Sequence, residues 1–196
     1  MKAIRYTLAA LAVLALAACY PPSTSRPIGS TVGFKNDPSL EGLWQTQPDS
    51  DGHKFLYYHL LNTKNGTMFA VVVPDRGGDF TTAILKLTTV RFGNFGFLNA
   101  RFMMDPQHEL PDQSPGTIPV LYRFDAKDKS EIYIPDEGAT DDAIRARKIA
   151  GTLDNGLSAK HTSLITADGP TLDKFFRSPA GLALYKKPFA VLTRVK

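Results

Sequence analysis

The chain has 196 residues, of which 43% are hydrophobic, 21% charged and 10% aromatic, with a formal net charge of +4; these are the proportions of one ordinary globular domain, not of a disordered chain. A mean hydropathy of −0.16 and a single long apolar stretch exclude a multi-spanning helical membrane protein. The single Cys excludes an internal disulfide framework and any zinc site made of several thiolates.

In chain order, Lys2 and Arg5 give a positive start, and Leu8 to Ala18 follows as eleven apolar residues. That is about half of the ~20 needed to cross a bilayer as a helix, so residues 1–18 read as a signal peptide and not as an anchor helix. The run closes in Leu16-Ala17-Ala18-Cys19, which resembles the lipobox of bacterial lipoproteins. The resemblance implies cleavage before Cys19, a diacylglycerol on its thiol and acylation of the new amine. Each buried methylene contributes about 0.8 kcal/mol, so two or three acyl chains would hold the protein on a membrane permanently. Family members kept at the inner membrane tend to carry Asp after the Cys, and Tyr20 stands there instead. The resemblance therefore implies the periplasm-facing side of the outer membrane of a Gram-negative cell.

Without residues 1–18 the formal charge falls to +2, divided between 11 basic and 14 acidic residues in 19–138 and 10 basic and 5 acidic in 139–196. This polarity could orient the protein on an anionic surface. No dense basic patch with interleaved aromatics suggests a nucleic-acid partner. Residues 20–39, with Pro21, Pro22, Pro27 and Pro38 and no apolar period, read as a flexible tether behind the lipidated Cys19.

From residue 40 to 196 short β-type runs alternate with turn residues. Strands are expected near 41–47, 53–62, 67–74, 80–90, 95–103, 118–125, 130–134, 150–154, 159–166 and 187–195. Asn65-Gly66, Gly77-Gly78, Gly93-Asn94 and Asn155-Gly156 supply tight turns between antiparallel neighbours. One helix is expected from an N-cap at Thr140 to a stop at Gly151, and a second over about 170–177, ended by Ser178-Pro179. In Ile118-Val120-Tyr122-Phe124 the alternation is clean, whereas in residues 68–73 both parities are apolar, the pattern of a strand covered on both faces. The expected fold is mainly β, an antiparallel meander closing into a barrel with two short helices on one flank. A sandwich is the competing architecture.

Gly42-Leu43-Trp44 opens this region and Leu192-Thr193-Arg194 comes near its end. A Gly-x-Trp on the first strand of a β-meander is similar to lipocalins and to uncharacterised bacterial envelope proteins of lipocalin-like build. The resemblance implies that Trp44 closes one end of the barrel and that Arg194 packs across its indole, a cation–π contact of about 0.5–2 kcal/mol.

The chemistry-bearing residues form no motif. His53, His59, His108 and His161 fall at no metal-ligand interval. Asp49-Ser50-Asp51-Gly52 lacks the later ligands of a calcium loop, and no nucleophile elbow or phosphate-cradling loop occurs. The reading is a protein without enzymatic activity, metal or cofactor; a hydrolase built on convergent carboxylates is the remote alternative. Tyr57, Tyr58, Phe69, Phe97, Phe102 and Tyr122 are the aromatics expected to face inward and line a pocket for a small apolar ligand, if the interior is not simply filled. The competing function is docking on an envelope protein assembly through the basic 139–196 portion.

Overall fold

A computed structural model describes residues 21–48, 54–62, 67–74, 82–103, 116–153 and 163–196. The signal segment, Cys19, Asp49 to Gly52 and three of the four expected turns lie outside the described residues; Gly93-Asn94 forms the turn expected of it. Eight strands run as β2 (Gly42–Thr46), β3 (Phe55–Asn62), β4 (Thr67–Pro74), β5 (Ala83–Phe92), β6 (Phe95–Met103), β7 (Ile118–Ala126), β8 (Lys129–Tyr133) and β11 (Ala190–Arg194). Each pairs antiparallel with the next, and β11 pairs with both β8 and β2, so the sheet closes into a barrel without an edge.

Residues directly opposite across a ladder share a face, and the register carries one inward set round the wall. Trp44 faces Tyr57, Tyr57 faces Val72, Ala70 faces Leu85 and Leu85 faces Phe102. Across β6, β7 and β8, Gly96 faces Tyr122 and Tyr122 faces Ile132. The interior is built from Trp44, Met68, Ala70, Leu87, Leu98, Ala100, Tyr122 and Leu192 with their neighbours. A Cβ on Gly96 would come within 2.3 Å of the Tyr122 ring, so only a glycine lets that ring lie flat on the wall. Gly96→Ala is expected to cost about 2 kcal/mol by overpacking, read as a lower denaturant midpoint at unchanged slope.

The second core lies outside the barrel. Between β8 and β11 the chain forms α1 (Glu137–Arg145), β9 (Gly151–Thr152), β10 (Leu164–Ile165), α2 (Gly169–Phe176) and α3 (Pro179–Leu182). Leu172, Phe175, Phe176, Leu184 and Tyr185 from this excursion pack on Val90, Phe97 and Leu121 of the barrel's outer wall. Helices this short are marginal alone, so that packing holds them.

Four local expectations are corrected. The first helix starts four residues earlier than Thr140 would place it: the Asp136 carboxylate accepts from Ala139 N at 2.8 Å and caps it, while Thr140 sits inside the helix and donates to the Asp136 carbonyl. Arg147, at φ 53, ends it, not Gly151. Ser178 does end α2, but its hydroxyl then caps α3, so the described residues form three α-helices, not two. The runs at 150–154 and 159–166 do not enter the barrel, where β8 already pairs with β11; their described parts, β9 and β10, form a separate three-stranded sheet with β1 (Ser23–Thr24).

The fourth correction concerns residues 20–39, whose described part, from Pro21 on, is bound to the barrel instead of hanging free. Thr24 exchanges backbone hydrogen bonds with Thr117. Ile28, fully buried, is held by Asn99, whose amide accepts from Ile28 N at 2.7 Å and donates to Ile28 O at 2.9 Å. The Asp173 carboxylate of α2 accepts from Gly29 N at 2.6 Å, from Thr31 N at 3.2 Å and from the Thr31 hydroxyl. Side chains thus supply the backbone partners that a ladder would otherwise give a proline-rich segment. The folded unit accordingly includes this strap and does not begin at residue 40.

Candidate functional site

The two barrel ends differ. Tight connections, 93–94 and 127–128 among them, join strands at one end, where β2 enters and β11 leaves; the connections spanning 47–54, 75–82, 104–117 and 134–189 leave the other.

At the tight-turn end the strap crosses the opening and inserts Leu40, 1% exposed, from a 3-10 turn capped by Asp37. The Leu40 carbonyl accepts from Trp44 Nε1 at 2.8 Å and from His59 Nδ1 at 2.9 Å. A carbonyl only accepts, so Nδ1 carries the imidazole proton. Burial lowers the His59 pKa, with the Arg194 charge adding to that against the opposing hydrogen bond, and the ring stays neutral. Arg194 lies over Trp44 with its guanidinium carbon 4.3 Å from the indole centroid, and the two residues are partners in the β11–β2 ladder. The same guanidinium donates to the carbonyls of Glu41 and Ser39, the latter at 2.6 Å. Gly42, at φ +110, leaves it space: a Cβ there would stand 3.0 Å from Nη1.

Beside this plug, Asp37 accepts from the Tyr122 hydroxyl at 2.8 Å and pairs with Arg91 at 3.2 Å. Burial first, then the bond to Asp37, drives the Tyr122 pKa far up. These hydrogen bonds and the Arg91–Asp37 pair tie strap to barrel.

The opposite half of the interior is less covered. Six inward apolar residues keep partial exposure: Tyr57, Leu85, Phe102, Val120, Phe124 and Ala190. All but Phe124 lie within two residues of the long-connection end of their strand. Tyr57 is surrounded by protein enough that burial pushes its phenol up to about 12, yet it retains accessible surface. Because the unfolded phenol ionises near 10, the folded state holds its proton longer. Stability tied to Tyr57 is therefore present below pH ~10 and lost as pH rises through ~12. Tyr57→Phe should remove one late-ionising phenol from an absorbance titration and flatten that alkaline loss.

Of the aromatics expected to line the pocket, Tyr57, Phe102 and Tyr122 belong to the interior, with Tyr122 at the plugged end. Phe97 belongs to the outer core, where it meets Phe176 at 5.6 Å and Tyr185 at 6.0 Å. Phe69, between inward Met68 and Ala70, takes the outer parity of β4. Tyr58 stands opposite Val71 in the ladder, and its side chain lies outside the described residues. Period-2 alternation cannot assign a face where both parities are apolar; that ambiguity hid Leu85 and misplaced Phe69. Asp37 and His59 have no signature beyond Asp37 preceding Pro38 at a turn.

Among the described residues no group of three or more His, Cys, Asp or Glu could hold a metal ion, and no helix is long and apolar enough to cross a membrane. His53, His108 and His161 lie outside the described residues. Comparison with protein families, curated proteins and solved structures finds no match.

Proposed function

We propose that this chain is a lipid-anchored lipoprotein of the bacterial outer membrane whose lipocalin-like barrel faces the periplasm and binds or carries a small apolar ligand. The carrying observation is the asymmetry of the interior: plugged by Leu40, Trp44 and Arg194 at one end, and lined by partly exposed Tyr57, Leu85, Phe102, Val120 and Ala190 toward the other. An eight-stranded barrel is just wide enough to hold one small ligand, and an apolar wall with a single phenol selects for hydrophobic shape. Cys19 supplies the anchor.

Native mass spectrometry of protein taken from membranes should show an apolar adduct and, at Cys19, the mass of a diacylglyceryl thioether. Leu85→Trp, which enlarges a side chain of that partly exposed wall, should weaken retention of a fluorescent fatty-acid probe by about tenfold, or ~1.4 kcal/mol. An intact, folded protein that carries no adduct and takes up no such probe would sink the binding reading.

The second reading is a non-enzymatic docking module of an envelope assembly. Arg145, Arg147, Lys174, Arg177, Lys186 and Lys187, all exposed in the basic excursion, favour it. Crosslinking in intact cells discriminates: a captured protein partner at these positions supports docking, and capture of lipid alone supports the carrier.

A further inference from the structure

Binding of the strap to the barrel changes where a lipid anchor would hold the domain. A free tether over 20–39 would let the barrel stand several tens of Å from the membrane at roughly 3.1 Å per residue. Instead the chain is fixed at Thr24, which exchanges backbone hydrogen bonds with Thr117, the residue preceding β7. Pro21, Pro22 and Ser23 before it are buried. Thr117 is at the long-connection end of the barrel, the end toward which the inward apolar wall gains exposure. Four residues separate Cys19 from Thr24, and the five Cα-to-Cα steps reach at most ~18 Å. The plugged end lies a whole strand away: β7 runs nine residues from Ile118 to Ala126, about 30 Å of extended chain.

A second observation marks the same end. Among the described residues two large hydrophobic side chains are strongly exposed. Val32 is in the turn that Gly29 and Thr31 dock on α2. Phe189, 45% exposed, stands at the long-connection rim just before β11, its backbone held by a 2.7 Å bond to Ile132 O. An aromatic ring on a fixed rim position suits insertion at the boundary of headgroups and acyl chains. Electrostatic attraction is not the cause: the sequence at 49–53, 75–81 and 104–115, leaving this end, has seven acidic residues and one Arg.

We infer that the Phe189 rim rests on the phospholipid leaflet that holds the Cys19 acyl chains, so that the barrel's less covered end faces lipid and the Trp44–Arg194 plug faces the aqueous periplasm. The inference depends on the lipid anchor proposed above, and it places the cavity where an acyl chain can pass from bilayer to barrel without crossing water.

The test uses the full lipidated chain in phosphatidylethanolamine–phosphatidylglycerol vesicles. The only native thiol is consumed by the thioether, so a single introduced cysteine can carry a spin label. Phe189→Cys reports the rim, and Lys127→Cys, exposed in the turn between β7 and β8, reports the plugged end. The label at 189 should be relaxed by lipid-soluble oxygen and shielded from a water-soluble nickel chelate, with the reverse at 127, and added salt should leave both unchanged. Equal accessibility at the two sites, both labels in water, or the reverse order would overturn the orientation. Intact mass of the same sample separates the two failures. An unmodified Cys19 refutes the anchor reading and the orientation with it, whereas a lipidated chain with a water-exposed 189 label refutes the orientation alone.

Discussion

Trp44→Ala is expected to lower stability by about 4 kcal/mol. The indole is fully buried, the largest of the fully buried side chains, and large-to-small changes of this kind cost ~3–5 kcal/mol through lost burial and the cavity left behind. Phe124, 6.1 Å away ring to ring, and the Leu40 carbonyl lose a neighbour and a donor respectively. Arg194→Ala should cost less, about 2 kcal/mol, from the lost face of the indole and two carbonyl bonds. The double variant should then fall short of the sum by ~1 kcal/mol, because removing either partner already abolishes the shared contact. Arg194→Lys should not restore stability, since an ammonium cannot lie flat on the indole while bridging Ser39 O and Glu41 O. Chemical denaturation of the parent and the four variants checks this; strict additivity would show that Trp44 and Arg194 are neighbours without being a closure.

The strap should be the second point of failure. Asp173 is 4% exposed and accepts from Gly29 N, Thr31 N and the Thr31 hydroxyl. Bonds to a charged acceptor contribute ~1.5–3 kcal/mol each, and Asp173→Ala leaves the buried Gly29 N–H unmatched while the exposed Thr31 groups turn to water, so a net loss of about 3 kcal/mol is expected. The loss should be local before it is global. Trypsin should cut after Lys35 in the variant under conditions where the parent strap is protected, while far-ultraviolet dichroism of the barrel persists. Equal protection of the two proteins would show that Asn99, Ile28 and the Thr24–Thr117 bridge hold the strap unaided. If the rim-to-membrane inference is right, the released strap should also relax the spin-label contrast between positions 189 and 127, because the barrel would regain a long tether.

The legible part of the candidate site came from pattern with position. Gly42-x-Trp44 near the start of the β region and Arg194 near its end lie 150 residues apart, and only closure of a barrel brings such positions into one ladder. The clean alternation of Ile118, Val120, Tyr122 and Phe124 put those side chains on one face, and all four are interior. The aromatic lining was less legible. Phe97 is as apolar as an interior residue because a helical layer covers the outside of its strand, and a covered outer wall selects the same residue types as a core.

Local sequence determined ten β-type runs, with rough bounds for the eight that form the barrel, the Gly93-Asn94 turn and the approximate place of the helices, since alternation, turn chemistry and capping act over a few residues. Tertiary structure alone decided which face is inner in β4 and β6, where both parities are apolar, that β9 and β10 stand outside the barrel, and that the proline-rich strap is bound. Those outcomes depend on partners far along the chain: Asn99 for Ile28, Asp173 for Gly29 and Thr31, Thr117 for Thr24. A segment whose backbone is satisfied by distant side chains carries no period of its own, so nothing within residues 20–39 distinguishes a bound strap from a free tether.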